Sequence, residues 1–321
     1  MEKNYDVVAL GELLIDFTQN ELSAQGNPLF EANPGGAPCN VLAMLRKLGK
    51  KCAFIGKVGK DGFGNQLAQV AEEAGIDLRG LKFDEVVHTT LAVVQTLPGG
   101  DRDFSFYRKP GADMNLSADE LDVELIKDSK IFHFGTLSLT DEPVKSATIK
   151  AVEVAKEAGC IISFDPNLRP PLWDSVDDAK EAIAWGLAQC DVLKIADNEI
   201  EFMTGETDFY KGAAILQEKY PNIKLLNVTA GPDGSYSFYK DMNTFQPSCK
   251  LGGVIETTGA GDTFCASVIN FVLENGLEDL TKEQLDEMLC FANHAAYIVT
   301  TKKGAIKSMP ERAAVMAILD K

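Results

Sequence analysis

The sequence predicts an α/β fold, with a mostly parallel sheet that is covered by helices on both faces. Short apolar runs alternate with amphipathic stretches along the 321 residues, and this alternation is typical of βαβ units. The apolar runs are nearly continuous, as expected for strands that are buried on both faces. Length alone leaves open two domains or one large three-layer unit.

The strands are assigned from the apolar runs and the helices from the amphipathic stretches that follow them. The predicted strands are Val7–Leu10, Cys52–Val58, Ile131–Phe134, Ile161–Phe164, Val192–Ile195 and Lys224–Val228. The predicted helices are Cys39–Leu48, Phe63–Glu73, Pro143–Ala158, Asp177–Ala188, Tyr210–Lys219, Asp262–Asn275, Lys282–Thr300 and Glu311–Leu319. In such sheets the functional residues gather beyond the carboxyl ends of the strands.

One region breaks the alternation and predicts a β-hairpin. His88–Leu97 is rich in Thr and Val, residues 98–101 read as a turn, and Asp103–Arg108 alternates aromatic and polar side chains. A second irregular stretch, Glu21–Asn33, is expected to pair with it. We interpret these segments as a small β lid on the α/β body, with an ordinary edge hairpin as the alternative.

Composition and charge exclude several classes of function. With 31 Lys and Arg against 48 Asp and Glu, the net charge is −17, which argues against nucleic acid or an anionic membrane as the main partner. No apolar run reaches the ~18 residues of a membrane span, and the first residues lack the pattern of a signal peptide. The seven cysteines form no C-x-x-C pair, which predicts reduced thiols in the cytoplasm and no zinc site.

The strongest local signal is a glycine-rich turn that leads directly into the predicted helix Asp262–Asn275. Gly259 and Gly261 let the backbone approach an anion, which the free N–H groups and the helix dipole would stabilise. Taken alone, Asp262 fits a helix cap as well as a base, but a cap requires neither the two glycines nor a buried helix. A carboxylate beside an anion site can accept a hydroxyl proton as phosphate arrives.

Two established phosphate-binding motifs are absent. The Walker A pattern G-x-x-x-x-G-K-S/T does not occur. The glycines of residues 56–64 follow a strand, but their spacing does not match a dinucleotide-binding turn.

Two spaced motifs, with further matches between them, resemble a known family. Gly35-Gly36-Ala37-Pro38-Cys39-Asn40 and Gly259-Ala260-Gly261-Asp262 are similar to the two signatures of the ribokinase-like (PfkB) carbohydrate kinases. Within that family the chain most resembles the bacterial fructokinases, through G-E-L-L-I-D-F (11–17), F-S-F-Y-R-K-P-G-A-D-M (104–114), F-D-P-N-L-R (164–169) and T-K-K-G-A-I (301–306).

The resemblance implies one ribokinase-like domain over residues 1–321, with a three-layer α/β/α body and β-lid segments at about 17–33 and 88–110. It implies transfer of the γ-phosphate of ATP to a primary sugar hydroxyl. The expected reaction is the conversion of D-fructose to fructose 6-phosphate. Asp262 would be the base, and Gly259, Ala260 and Gly261 the anion hole. This agrees with the chemistry inferred above, because phosphoryl transfer depends mainly on positioning and charge stabilisation.

The sugar end of the site is predicted from short polar groups on rigid elements. Asp16 can accept two hydroxyl hydrogen bonds, Gly35 and Gly36 permit close backbone approach, and Asn40 offers both a donor and an acceptor. Each also has a structural interpretation, as a turn or a helix cap. The resemblance to the family's sugar contacts favours the functional interpretation.

Three further substrate contacts are predicted from the lid and from a strand end. The period of two in a strand places Phe104, Phe106 and Arg108 on one face. Phe106 could stack on the sugar, and Arg108 could reach the sugar or the phosphate. Arg169 resembles a family position that faces the pocket, and a surface salt bridge is the alternative.

The resemblance also implies the nucleotide and metal contacts. Thr229, Gly231 and Gly234 match the family's nucleotide loop, and Asn293 matches its adenine-side asparagine.

ATP brings Mg²⁺, which prefers carboxylates reached through water. Glu199 matches the glutamate of the family's N-x-x-E motif, with Asp165 as a second candidate, but Ala196 replaces the asparagine. Many relatives bind K⁺ beside the anion hole, and Glu256 replaces the usual aspartate there, which leaves a K⁺ site open.

Other functions stay open at this point. A 2-keto-3-deoxygluconate kinase would hold the substrate carboxylate with Arg108 and Arg169, although Phe106 replaces a hydroxylated aromatic that often helps to bind the acid. A non-catalytic sugar- or nucleotide-binding regulatory protein would be expected to lack Asp262 or the glycines, and a dehydrogenase would need a better glycine motif. The apolar lid hairpin could pair with a second copy, which predicts a homodimer.

Overall fold

The protein is built on a large, mostly parallel sheet and a smaller second sheet. A computed structural model describes residues 3–96 and 102–319. Its strands are β1 (Tyr5–Leu10), β2 (Leu14–Leu22), β3 (Pro28–Gly35), β4 (Cys52–Gly59), β5 (Asp77–Asp84), β6 (Leu91–Thr96), β7 (Arg102–Tyr107), β8 (Ser129–Gly135), β9 (Ile161–Asp165), β10 (Val192–Ala196), β11 (Leu225–Thr229), β12 (Gly234–Tyr239) and β13 (Met242–Pro247). Its helices are α1 (Ala37–Lys47), α2 (Gly62–Glu73), α3 (Val123–Lys127), α4 (Val144–Glu157), α5 (Val176–Gln189), α6 (Asp197–Thr204), α7 (Phe209–Lys219), α8 (Ala260–Asn275), α9 (Lys282–Thr300) and α10 (Arg312–Leu319).

The main sheet has nine strands in the order β13–β12–β11–β10–β9–β8–β1–β4–β5. The seven strands from β11 to β5 run parallel, and β12 and β13 form an antiparallel hairpin at one edge. All six predicted strands belong to the parallel part, so the predicted fold class is confirmed. The parallel direction brings the carboxyl ends of these strands to one edge of the sheet.

Helices cover both faces of the main sheet and bury two hydrophobic cores. Alternate residues of β1 point to opposite faces: Val7 and Ala9 pack with α1, α2, α8, α9 and α10, whereas Val8 and Leu10 pack with α3 to α7. Burial on both faces explains why β1 is apolar at consecutive positions. The eight predicted helices are all present.

Five elements, β5, β12, β13, α3 and α6, were not predicted, because each lacks the pattern on which the assignment depends. The strand β12 alternates Ser with aromatic residues, and charged residues and a glycine interrupt the apolar positions of β5. The helices α3 and α6 have only 5 and 8 residues, too few for a clear amphipathic period.

The second sheet has four strands in the order β3–β2–β6–β7. The predicted hairpin is confirmed as the antiparallel pair of β6 and β7, while its predicted turn at 98–101 lies outside the described residues. The expected pairing with Glu21–Asn33 is wrong. The strand β6 pairs in parallel with Ile15–Thr18 of β2, and Glu21–Asn33 mainly supplies β3, which pairs only with β2.

The strand register brings polar side chains together at the carboxyl edge of the main sheet. Asp165 ends β9 opposite Gly135 of β8, and Lys194 on β10 lies opposite Asn227 of β11. Across the described ranges, no helix combines the length and apolar character that spanning a membrane requires.

Candidate active site

A cleft of about 280 Å³ lies between the carboxyl edge of the main sheet and the second sheet. Its wall includes residues from the β1–β2 junction, the start of α1, the second sheet, and the start of α8. Eight of the residues predicted from the sequence line it: Asp16, Gly36, Asn40, Phe106, Arg169, Gly259, Gly261 and Asp262. The cleft therefore joins the predicted sugar and phosphate ends of the site.

The N-terminus of α8 offers unpaired backbone donors to this cleft. Gly259 precedes the helix with φ 79°, a conformation that suits glycine, and no side chain caps the helix. The N–H of Ala260 donates to the carbonyl of Thr257 at 3.2 Å, so the structure does not give Ala260 the predicted donor role. Among the described residues, no acceptor takes the N–H groups of Gly261 and Asp262. These two donors are positioned for an anion.

Asp262 and Asn40 form the contact between the two predicted motifs. The Asn40 amide nitrogen donates to Asp262 Oδ2 at 2.8 Å, across 222 residues of sequence. Burial raises the pKa of Asp262, while the Asn40 hydrogen bond and the positive charges of Lys194 and Arg169 act in the opposite direction. The Asn40 side-chain oxygen is buried and finds no hydrogen-bond partner within residues 3–96 and 102–319. A buried acceptor without a donor indicates a missing ligand or water.

The two glycines of the first motif are required by close contacts. A Cβ at Gly35 would lie 2.5 Å from Asp16 Oδ2, and one at Gly36, where φ is 127°, would lie 2.4 Å from the Glu12 carbonyl oxygen. Glu12 was not predicted, yet its carboxylate accepts the N–H of Ala37 at 2.8 Å and so fixes the start of α1. The glycines thus let Asp16 reach the cleft beside Asn40.

The environment of the Asp16 carboxyl group disfavours its ionised form. Burial raises the pKa of Asp16 to about 7, and only the charge of Arg169 opposes this shift; the carboxylates of Glu256 and Asp262 add to it. Arg169 is exposed on the loop after β9, and its charge acts on both Asp16 and Asp262. Arg169 therefore faces the cleft, as its resemblance to a pocket-facing position predicted.

Lys194 is a buried cation in the cleft that sequence analysis missed. Its Nζ lies 3.1 Å from Asp165 Oδ1, and a Cβ at Gly261 would be 3.3 Å from the same Nζ. Burial lowers the pKa of Lys194, but the carboxylates of Asp165 and Glu199 outweigh this effect and raise it above 10.5. Lys194 therefore places a fixed positive charge next to the free N–H groups of α8. A lysine within the apolar run V-L-K-I-A was the available signal, because a buried ammonium requires a partner.

Arg108 does not line the cleft, and its contact with sugar or phosphate stays a prediction. The side chain is only 2% exposed. Its three guanidinium nitrogens donate to Asp113 Oδ2 at 2.8 Å, Thr140 Oγ1 at 2.8 Å and the Leu137 carbonyl at 2.7 Å. The predicted alternation over residues 104–108 could not reveal these partners.

The two predicted metal ligands are engaged by other groups. Glu199 accepts the N–H of Leu168 and that of Ala196, each at 2.7 Å, and so holds a loop to the start of α6. Asp165 pairs with Lys194 and accepts the N–H of Asn167. No group of three or more His, Cys, Asp or Glu side chains within the described residues could hold a metal ion. Mg²⁺ is usually held by one or two carboxylates together with waters and substrate phosphates, so a ligand role for Glu199 and Asp165 stays a prediction.

The predicted nucleotide residues lie around the β11–β12 connection and on α9, outside the lining of the cleft. Thr229 ends β11, and Gly231 and Gly234 shape the turn into β12 with φ values of 49° and 132°. The amide of Asn293 donates to the carbonyls of Gln246 and Pro247 and accepts from Ser235 Oγ. Asn293 therefore ties α9 to the β12–β13 hairpin, and its contact with a nucleotide stays a prediction.

Comparisons with known proteins agree with this geometry. A model of the pfkB family of carbohydrate kinases matches residues 4–312. Fructokinase-1 of Zea mays is 42% identical over 317 residues, covering 98% of each chain. The crystal structure of fructokinase from Xylella fastidiosa with bound ATP has a TM-score of 0.89 at 27% identity, over 98% of this chain and 99% of that one. Fructokinase from Vibrio cholerae O395 with fructose, ADP and a calcium ion bound has a TM-score of 0.85 at 29% identity, with the same coverage.

The raised pKa of Asp16 predicts that Asp16→Asn stabilises the protein at high pH. The unfolded chain ionises this carboxyl near its ordinary 3.8 and the folded protein near 7, so the folded state loses stability as pH rises between these values. We expect the melting temperature of Asp16→Asn to exceed that of the unmodified protein at pH 8 by about 2 °C or more, and the difference to shrink at pH 5.

The matched control is Asp6→Asn, since Lys130 and the Lys51 N–H outweigh burial and lower the pKa of Asp6. That variant should lose stability at pH 8. A lower melting temperature for Asp16→Asn at pH 8 would contradict the account of Asp16. Scanning calorimetry at both pH values makes the comparison.

Proposed function

The chain belongs to the pfkB family of carbohydrate kinases, and we propose that it transfers the γ-phosphate of ATP to the 6-hydroxyl of D-fructose. The observation that carries this proposal is the position of the Asp262 carboxylate, bound by Asn40 and adjacent to two unpaired N–H groups and to Lys194. A hydroxyl group and a transferring phosphate can meet there. The full-length similarity to fructokinases supports the choice of fructose.

In the proposed reaction Asp262 is the general base. It accepts the proton of the 6-hydroxyl while the hydroxyl oxygen bonds to the γ-phosphorus. The bond from that phosphorus to the bridging oxygen breaks, and ADP leaves with the electron pair. The N–H groups of Gly261 and Asp262 and the ammonium of Lys194 stabilise the charge on the phosphoryl oxygens. Asn40 orients the carboxylate and offers its free side-chain oxygen to a sugar hydroxyl.

The choice of a neutral sugar follows from the cations of the site. A 2-keto-3-deoxygluconate kinase would need Arg108 and Arg169 to hold a carboxylate. Arg108 already forms an ion pair with Asp113. The charge of Arg169 already interacts with the carboxyl groups of Asp16 and Asp262. The lining also includes the carboxylates of Glu12 and Glu256, so a substrate carboxylate would meet repulsion rather than a clamp.

The remaining parts of the proposal are the metal, the second sheet and the compartment. We propose Mg²⁺ as the divalent cation that accompanies ATP, with Glu199 and Asp165 as the carboxylates that would reach it through water. Phe106 lines the cleft from the second sheet, in keeping with a lid over the sugar. All seven cysteines are free thiols, which suits a reducing compartment such as the cytoplasm.

Substrate choice is tested by measuring ADP release with ATP and Mg²⁺ over fructose, ribose, glucose and 2-keto-3-deoxygluconate. We expect fructose to give the highest kcat/KM, because Asp113 pairs with Arg108 and the carboxylates of Asp16 and Asp262 lie near Arg169. A higher value for the keto acid would replace the proposed substrate and keep the reaction type. No turnover with any sugar would favour a non-catalytic binding protein.

The role of Asp262 is tested by Asp262→Asn. This variant keeps the shape of the side chain and loses the base, so kcat should fall by about 10²–10⁴-fold, while calorimetry still detects ATP binding. Asp177→Asn is the matched control, since Asp177 is exposed in the first turn of α5. Turnover of Asp262→Asn near that of the control would remove Asp262 as the base.

A further inference from the structure

We propose that Asp113 determines the preference of this site for neutral sugars, because its carboxylate occupies the Arg108 guanidinium and withholds that cation from acidic substrates. Asp113 would thus act through Arg108 and would not itself touch the sugar. The inference rests on the proposed function, since it concerns the substrate that the kinase selects.

The pair lies directly behind the wall of the cleft. Arg108 directly follows β7, two residues after Phe106, and Phe106 lines the cleft. The guanidinium also donates to the carbonyl of Leu137, another residue of the cleft wall. Glu12 lines the cleft too, and the charges of Asp113 and Arg108 act on its carboxyl group in opposite directions. An unpaired positive charge on Arg108 would therefore change the electrostatic potential inside the cleft.

Asp113 is held in place independently of any substrate. Its side chain is 2% exposed, and Oδ1 accepts a hydrogen bond from the Thr90 hydroxyl. Gly111 packs against this pair so closely that a Cβ there would lie 2.0 Å from Thr90 Oγ1 and 2.9 Å from Asp113 Oδ1. The carboxylate is thus fixed against Arg108 before a ligand binds, and a competing carboxylate would have to displace it.

The physical argument is one of charge balance. Removing one partner of a buried ion pair leaves an uncompensated charge, which is strongly unfavourable. Without Asp113, the positive charge of Arg108 would favour an anionic ligand in the adjacent cleft. With Asp113 in place the pair is neutral, and the other carboxylates of the wall repel an acid. Discrimination against a wrong ligand by such repulsion is a common route to specificity.

A purely structural role for the pair makes a different prediction. A structural ion pair would lower stability and the rates for all sugars together when it is broken. The proposed role changes the ratio of kcat/KM for an acidic sugar to kcat/KM for a neutral sugar. This ratio is insensitive to the fraction of protein that is folded and active, because that fraction scales both values equally.

The experiment measures this ratio, with 2-keto-3-deoxygluconate and fructose as probes, for the unmodified chain, Asp113→Asn and Asp113→Ala. We expect the ratio to rise at least tenfold in Asp113→Ala, mainly through a lower KM for the acid. Asp113→Asn keeps the size of the side chain and removes its charge, so it should show a smaller rise and serves if the alanine variant does not fold. Adding Arg108→Met to either variant should return the ratio to the value of the unmodified chain.

Asp84→Ala is the matched control. Asp84 is also buried and pairs with a buried cation, Lys57, at 3.4 Å, but neither residue lines the cleft. This variant should lose stability without a change in the ratio. An unchanged ratio in a folded Asp113→Asn variant would overturn the inference, as would a gain that persists after Arg108→Met. Failure of the unmodified chain to phosphorylate any sugar would instead overturn the proposed function, so the two failures are distinguishable.

Discussion

The site depends on one hydrogen bond, from the Asn40 amide to the Asp262 carboxylate. It joins the first turns of α1 and α8, two helices that pack against each other on the same face of the main sheet. Each helix begins after a glycine with positive φ, and a glycine has no side chain that could cap the helix. Close backbone approach at Gly36 and Gly259 therefore brings the sugar and phosphate ends within reach of one carboxylate.

Charge is the second constraint on the cleft. Acidic side chains outnumber cations in its wall, and burial holds the carboxyl groups of Glu12 and Asp16 near a pKa of about 7. Such groups reduce stability at neutral pH. Lys194 provides a compensating positive charge beside Asp165 and the start of α8. Arg108 provides none, since Asp113 neutralises it.

The strand pattern and the glycine motifs predicted the fold and the centre of the site, because both depend on local sequence. Asp262, Asn40 and Asp16 meet in the cleft as expected, since they follow the ends of parallel strands or begin helices there. The interpretation of Arg108 and Asn293 did not anticipate their internal partners. Residue spacing shows which face a side chain occupies, but not which distant group has already satisfied its hydrogen bonds.

A crystal structure with fructose and a non-hydrolysable ATP analogue would test the central claim most directly. The measurement is the distance from the fructose 6-hydroxyl oxygen to the nearer Asp262 carboxylate oxygen. The account predicts hydrogen-bond distance, about 2.6–3.2 Å, with Arg108 still bound to Asp113. A 6-hydroxyl that lies away from Asp262, with Arg108 turned towards the sugar, would contradict it.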